Sequence, residues 1–279
     1  MIVLEGITKT QLVPLKKHGF KLVKPKGKYE KYRLKGPANI ILYTTGKLVV
    51  NGKKEGIKET KKLLRKLGIK IPRQKTNKKK QNKDISGKVI GSDETLKGDT
   101  FGGIVVCAFK ADAKIREQLI DLGVRDSKTF NNADITKLAR KLMTLFSRNY
   151  SVENIYPKEY NKLNKKKNVT EIMNYLHEKC YKKLAKRKKI TYVIDKYPGC
   201  KVGDIVEPKA ESKYPEVAAA SIIARFCALK QIRDLEQTAG FFIPMGSTHV
   251  TDAVMEIKRK SLDPRDYVKM KFKNVKEFF

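Results

Sequence analysis

The sequence has no tryptophan, and its acids are outnumbered more than two to one, with 29 Asp+Glu against 63 Lys+Arg. Four cysteines, at 107, 180, 200 and 227, form no Cys-x-x-Cys pair, so neither a zinc ribbon nor a redox dithiol is signalled. Cys107 and Cys227 lie inside apolar runs and are expected to be core residues. His18, His177 and His249 share no metal-ligand spacing. The longest apolar runs, such as Ile104–Phe109 and Val217–Ala220, fall far short of the ~20 residues that a membrane helix needs. The opening Met1–Glu5 lacks the basic stretch and long apolar run of an export signal. The expectation is a soluble, reduced, cytoplasmic protein with no membrane association.

What is abundant is positive charge. The formal net charge is +34 over 279 residues, and 40% of the chain is hydrophobic. That length suits one or two domains with a real core. The charge points to a polyanionic partner, nucleic acid first and an anionic membrane surface second. A merely Lys-rich surface is the bland alternative.

The chain breaks at Arg73–Lys83, RQKTNKKKQNK, which has no apolar residue and reads as a solvated basic linker. The expected organisation is a small N-terminal unit over residues 1–70, a linker over 71–85 and a larger domain over 86–279. In the first unit Thr8–His18 reads as a helix despite Pro14, and Glu55–Leu67 as an amphipathic helix. Phe20–Val23, Tyr29–Leu34, Asn39–Tyr43 and Lys47–Asn51 read as strands, the last two joined by a Thr44-Thr45-Gly46 hairpin turn.

The second unit reads as α/β. Lys88–Ser92, Gly103–Phe109 and Ile190–Ile194 are apolar enough to be strands, the latter two buried on both faces. Asp134–Phe146, Thr170–Lys186 and Pro215 to about Gln237 are expected helices. The last has apolar positions around more than half its circumference and should be central.

Four carboxylates sit at chemically suggestive places. Asp93 and Glu94 follow the first of those strands, Asp195 ends Ile190–Asp195, and Glu211 precedes the long helix. Adjacent side chains on a strand point to opposite faces, so convergence of Asp93 and Glu94 needs a twist or bulge. Each acid alone is more often a surface or turn residue. Together they form an oxygen-rich set suited to Mg²⁺ or Mn²⁺. Two such ions can activate water and stabilise a leaving oxygen in phosphodiester hydrolysis. With the basic surface, a metal-dependent nuclease is the natural chemistry.

Five blocks in order also resemble a known family. Gly91-Ser-Asp-Glu-Thr-Leu-Lys-Gly-Asp-Thr-Phe-Gly102 is similar to the opening active-site motif of type 2 ribonucleases H, in particular the ribonuclease HIII branch. Asp126-Ser127-Lys128, Tyr160-Asn161-Lys162-Leu163 with Asn168, Lys209-Ala210-Glu211 and Val217–Arg225 resemble its later blocks. The resemblance implies a ribonuclease H-like mixed sheet flanked by helices, with a small TATA-binding-protein-like α+β domain ahead of it. It implies an endonuclease acting with Mg²⁺ or Mn²⁺ on the RNA strand of RNA/DNA hybrids, leaving 5′-phosphate and 3′-hydroxyl ends; separately, the chain is expected to be monomeric. Asp93, Glu94, Asp195 and Glu211 would be the catalytic, metal-binding acids. Lys97, Gly98, Ser127 and Lys128 would contact the substrate. The sequence departs from the family at Leu96, where the first glycine of Gly-x-Gly is usual, at Gly103, where proline is usual, and in a short Asp195–Glu211 interval. Asp99 and Asp126 are fallback acids. Those departures favour one alternative, a non-catalytic nucleic-acid-binding protein that retains the fold. His249 is a possible proton shuttle, and the basic, aromatic segment to Phe279 either contacts a partner or packs on the body.

Overall fold

The computed structural model describes the chain except Met1, Lys28, Lys70, residues 72–84, Ser86, residues 125–129 and Arg187, and the side chains of Ile2 and Lys54. It divides into two compact units, Met1–Lys79 and Lys80–Phe279. Of the expected linker, Ile71 packs in the core of the first unit and Ile85 against a core of the second, while residues 72–84 and the Asp126-Ser127-Lys128 block lie outside the described residues.

The first unit is a five-stranded antiparallel sheet in the order β1-β5-β4-β3-β2, made of β1 (Ile2–Leu4), β2 (Lys21–Val23), β3 (Glu30–Lys35), β4 (Asn39–Tyr43) and β5 (Leu48–Asn51). The hairpin turn closes between β4 and β5, where Tyr43 N–H donates to Lys47 O. Pro14 divides the expected first helix into α1 (Lys9–Leu12) and a 3₁₀ turn, Val13–His18, because proline cannot continue the α ladder. Leu12, Leu15 and Leu64 of α2 (Lys54–Lys66) pack with Leu34, Ile40, Leu42 and Leu48 of the sheet.

The second unit holds a five-stranded mixed sheet in the order β10-β9-β6-β7-β8. Its strands are β6 (Val89–Thr95), β7 (Ile104–Ala111), β8 (Tyr150–Ile155), β9 (Thr191–Asp195) and β10 (Ile205–Glu207). β6 runs parallel to β9 and antiparallel to β7. The helices are α3 (Ala113–Asp121), α4 (Asn132–Leu145), α5 (Pro157–Asn164), α6 (Val169–Ala185), α7 (Pro215–Ala239), α8 (Thr251–Arg259) and α9 (Lys273–Lys276).

Two cores lie on the two faces of this sheet. On one, Val105, Cys107 and Phe109 of β7 pack with Ala219, Ile222 and Ile223 of α7 and Leu138 and Leu142 of α4. On the other, Ile90, Val106 and Ala108 pack with Ile172, Leu176 and Cys180 of α6. Burying each large side chain contributes roughly 1.5–3 kcal/mol. α7 enters at Pro215 and stops at Gly240, whose φ of 69° is the left-handed geometry glycine favours. A Cβ on Gly91 would lie 2.5 Å from Val217 N, so only glycine lets α7 begin this close to β6.

Local sequence explains the other boundaries. Asn168 and Glu171 form a capping box at the start of α6, and Asn131 caps α4 through Asp134 N–H. Asn161 ties α5 to the C-terminal segment, donating to Val268 O at 2.8 Å and accepting from Met270 N–H at 3.0 Å. That segment therefore packs on the body, with Phe272 and Phe278 against the core and Phe279 42% exposed. Among the described residues no helix is long and apolar enough to cross a membrane.

Candidate active site

β6 does not end at Ser92 as the sequence suggests; it continues through Asp93 and Glu94 to Thr95. Its register with β7 is continuous, pairing Asp93 with Cys107 and Glu94 with Val106. No bulge turns the two acids together, so strand alternation sends them to opposite faces. Asp93 faces the α7 side and Glu94 the α6 side.

On the α7 side, Asp93 accepts hydrogen bonds from the Ser221 hydroxyl and, at 2.8 Å, from Glu94 N–H. Burial, then the negative charge of Glu94, pushes its carboxyl up to about 8, with Asp195 adding to the rise and the two hydrogen bonds opposing it. Asp195 follows Ile194, the partner of Ser92 in the parallel ladder, so the two aspartates stand on neighbouring strands of one face. Asp195 Oδ1 accepts from Ala210 N–H at 2.8 Å. That bond holds the 3₁₀ turn Ala210–Ser212, whose central residue is the buried Glu211, against the end of β9. The short Asp195–Glu211 interval still accommodates β10, which pairs beside β9.

On the α6 side, the Ser92 hydroxyl donates its single proton to Cys107 O at 2.8 Å. It can then only accept from His177 Nδ1–H, 2.7 Å away. His177 Nε2 is left facing Glu94 Oε2 at 3.3 Å. The imidazole is fully buried and stacks on Tyr197 with ring centres 5.3 Å apart. Lys97 Nζ bonds Glu94 Oε1 and also lies over the Tyr197 ring. Burial works to raise the Glu94 carboxyl, but the His177 and Lys97 contacts outweigh it and hold it below its ordinary range.

The loop after β6 carries the departures from the family. Leu96 has φ of 65°, the left-handed conformation that glycine adopts freely, and is 2% exposed in the core beside Phe101. A left-handed non-glycine residue costs roughly 1–2 kcal/mol, which burial of the leucine offsets. Gly98 is exposed, and a Cβ there would meet nothing within 4 Å. The fold does not demand a glycine at 98; its backbone lies open to an approaching ligand. Gly103 N–H donates to Gln231 Oε1 at 2.7 Å, a bond that a proline would lack.

The loop is held from beneath by Lys269, a fully buried lysine. Its Nζ donates to Asp99 O at 2.6 Å and Gly102 O at 2.8 Å, and burial lowers its ammonium to about 7. Asp99 Oδ2 accepts from Gly246 N–H at 2.7 Å, so the first fallback acid braces a turn. The second, Asp126, lies outside the described residues with Ser127 and Lys128. His249 is exposed on a surface loop.

The structure thus brings Asp93 and Asp195 onto one face, with Glu211 next to the residue that anchors Asp195. It sets Glu94 on the other face with Lys97. Among the described residues, no group of three or more His, Cys, Asp or Glu side chains is drawn together as a formed metal centre. Sequence reasoning passed over Ser221, Lys269 and His177. A signal for His177 existed: Met173, Leu176, Cys180 and Leu184 mark a buried stripe on α6 that includes position 177.

Comparison with known proteins agrees with this architecture. The ribonuclease HII family model matches residues 90–275. A ribonuclease HIII of Ureaplasma parvum serovar 3 is 31% identical over 219 residues, spanning 68% of this chain and 69% of that protein. A ribonuclease HIII of Bacillus cereus (strain AH187) is 30% identical over 217 residues, spanning 68% of each. The crystal structure of Bst-RNase HIII in complex with Mn²⁺ superposes with a TM-score of 0.62 at 25% identity, covering 99% of this chain and 97% of that one. Aquifex aeolicus RNase H3 superposes with a TM-score of 0.53 at 25% identity, covering 96% and 98%. The chain belongs to the ribonuclease HII family, the type 2 ribonucleases H, and within it is similar to the ribonucleases HIII.

Proposed function

We propose that Asp93, Glu94, Asp195 and Glu211 are the acids with which this ribonuclease H hydrolyses the RNA strand of RNA/DNA hybrids, leaving 5′-phosphate and 3′-hydroxyl ends. The observation that carries the reading is Asp93. Its carboxyl is pushed up to about 8 by burial beside Glu94 and Asp195. A half-buried carboxylate crowded by other carboxylates relaxes when a cation binds.

The donor set fits Mg²⁺ or Mn²⁺, since every candidate ligand is a carboxylate oxygen. Asp93 and Asp195 would hold the ion from neighbouring strands and Glu211 from the turn anchored to Asp195. Glu94 would join from the opposite side of the strand end. Bound there, a pair of such ions supplies an activated water and charge stabilisation at the departing 3′-oxygen. The protein's own groups do the rest. Lys97 balances Glu94, and together with Gly98, Ser127 and Lys128 it would grip the substrate strand. The 2′-hydroxyl distinguishes that strand from DNA. The net charge of +34 draws the polyanion in.

A left-handed Leu96 in place of the family's usual glycine favours a second reading, a binding protein without turnover. Incubating an end-labelled hybrid, an RNA duplex and a DNA duplex with the protein and Mg²⁺ or Mn²⁺ separates them. RNA-strand cleavage of the hybrid alone supports the ribonuclease H reading. Tight hybrid binding without cleavage under either metal supports the second.

A further inference from the structure

A cavity of about 930 Å³ opens between α4, the C-terminal half of α7 and the loop that follows α7. Leu229 and Met245 supply apolar lining, and Phe242 stands at the rim, 77% exposed. Lys137, Arg140 and Arg233 surround it, all exposed, and none is ion-paired with a described residue. The acid in the lining, Glu236, is occupied by accepting from Ile243 N–H at 3.1 Å. A large exposed aromatic ring in a cavity also lined by three exposed cations is unlike an ordinary solvated basic face.

The groove and the acid site are both built on α7. Along α7, Ser221 bonds Asp93, Arg225 donates to Asn132 at the near edge of the groove at 2.8 Å, and Leu229 and Arg233 follow. From Ser221 to Arg233 the helix rises about 18 Å. The loop beyond the groove returns to the site, where Thr100 N–H donates to Gly246 O at 2.9 Å.

A cationic groove with an exposed ring is how single strands are held: the cations track phosphates and the ring stacks on a base. In a paired duplex the base faces are already stacked and unavailable to Phe242. We propose that this groove binds single-stranded nucleic acid continuing from the hybrid, so that the enzyme engages hybrid/single-strand junctions. The inference rests on the ribonuclease H reading for its hybrid and on the groove for its overhang.

The test uses the full chain, a fluorescent hybrid with blunt ends, and the same hybrid with a ten-nucleotide overhang at either end. Dissociation constants are measured without metal, and cleavage separately with Mg²⁺ or Mn²⁺. The expected result is about tenfold tighter binding to one overhang substrate, with most of that advantage lost in Phe242→Ala, since one base stack is worth about tenfold or more. In Arg140→Gln/Arg233→Gln, the slope of log affinity against log salt on that substrate should fall by about 1.4, two single-strand phosphate contacts. An overhang that adds nothing in the wild type overturns the proposal. So does a Phe242→Ala loss that is equal on blunt and overhang substrates. Overhang-dependent binding with no cleavage sustains the groove and refutes the ribonuclease H reading instead.

Discussion

Replacing Asp93 with asparagine should make the metal-free protein more stable at pH 8 while removing its response to metal. The folded carboxyl titrates at about 8 against a reference of 3.8. Its pKa is raised, so between those values the folded state keeps a proton that the unfolded state has lost. Stability therefore falls as pH rises through that window, by at most ~1.4 kcal/mol per unit. Between pH 6 and 8 the loss is at most ~2 kcal/mol, because the slope flattens near the folded pKa, and the partial exposure of Asp93 reduces it. For a domain of this size that is a fall in Tm of up to ~4–8 °C. Lys269, lowered to about 7, shifts the other way in the same range, but it is common to both proteins and cancels in their difference. The assay is a pair of thermal melts at pH 6 and 8, with chelator and then with millimolar Mn²⁺. Asp93→Asn should melt higher than wild type at pH 8 with chelator, and the gap should shrink at pH 6. Mn²⁺ should raise the wild-type Tm more at pH 8 and leave the variant unmoved. Identical pH dependence in the two proteins would refute the reasoning.

Three further substitutions test the surroundings. His177→Phe should destabilise the fold by about 1–3 kcal/mol, since Ser92 and the buried Glu94 lose a partner. Glu94 stabilises the fold above its ordinary pKa of 4.5 and loses that contribution as pH falls through its lowered value, so the acid melting limb should move to higher pH in the variant. Lys269→Met leaves Asp99 O and Gly102 O without their buried donor, which should cost about 1–3 kcal/mol and lower kcat/KM by loosening the loop that carries Lys97 and Gly98. Denaturant unfolding and steady-state cleavage read both effects. Leu96→Gly relieves about 1–2 kcal/mol of left-handed strain, but deletes a buried leucine worth about 2–5 kcal/mol. A net loss of stability in urea is expected, and a gain would contradict the packing account.

The long apolar elements were legible because their hydrophobic pattern decides their burial: β7, α6 and α7 lie within a few residues of where periodicity puts them. β8 was not, because its inward positions are Ser151, Glu153 and Ile155, which invert the apolar alternation. Glu153 is tolerated there because Lys179 and Lys183 of α6 reach it at 2.8 and 2.5 Å, partners twenty-six and thirty positions away that no local pattern reveals. α3, α5 and α8 are short helices with mostly polar faces. At the site, sequence pointed to the acids but not their facing. Whether β6 ends before or after Asp93 depends on Cys107 and Val106 of β7 offering a continuous ladder. The work of Leu96 was equally hidden, because a left-handed leucine is tolerable only where a core receives its side chain.

The central claim is that Asp93 belongs to the metal-dependent chemistry of RNA-strand hydrolysis. The most direct measurement is cleavage of a labelled RNA/DNA hybrid with Mg²⁺ or Mn²⁺ by wild type and Asp93→Asn side by side. Metal-dependent cutting of the RNA strand by the wild type, lost in a variant that still binds the hybrid, is the predicted result. Undiminished cutting by Asp93→Asn, or no cutting by the wild type with either metal, would contradict it.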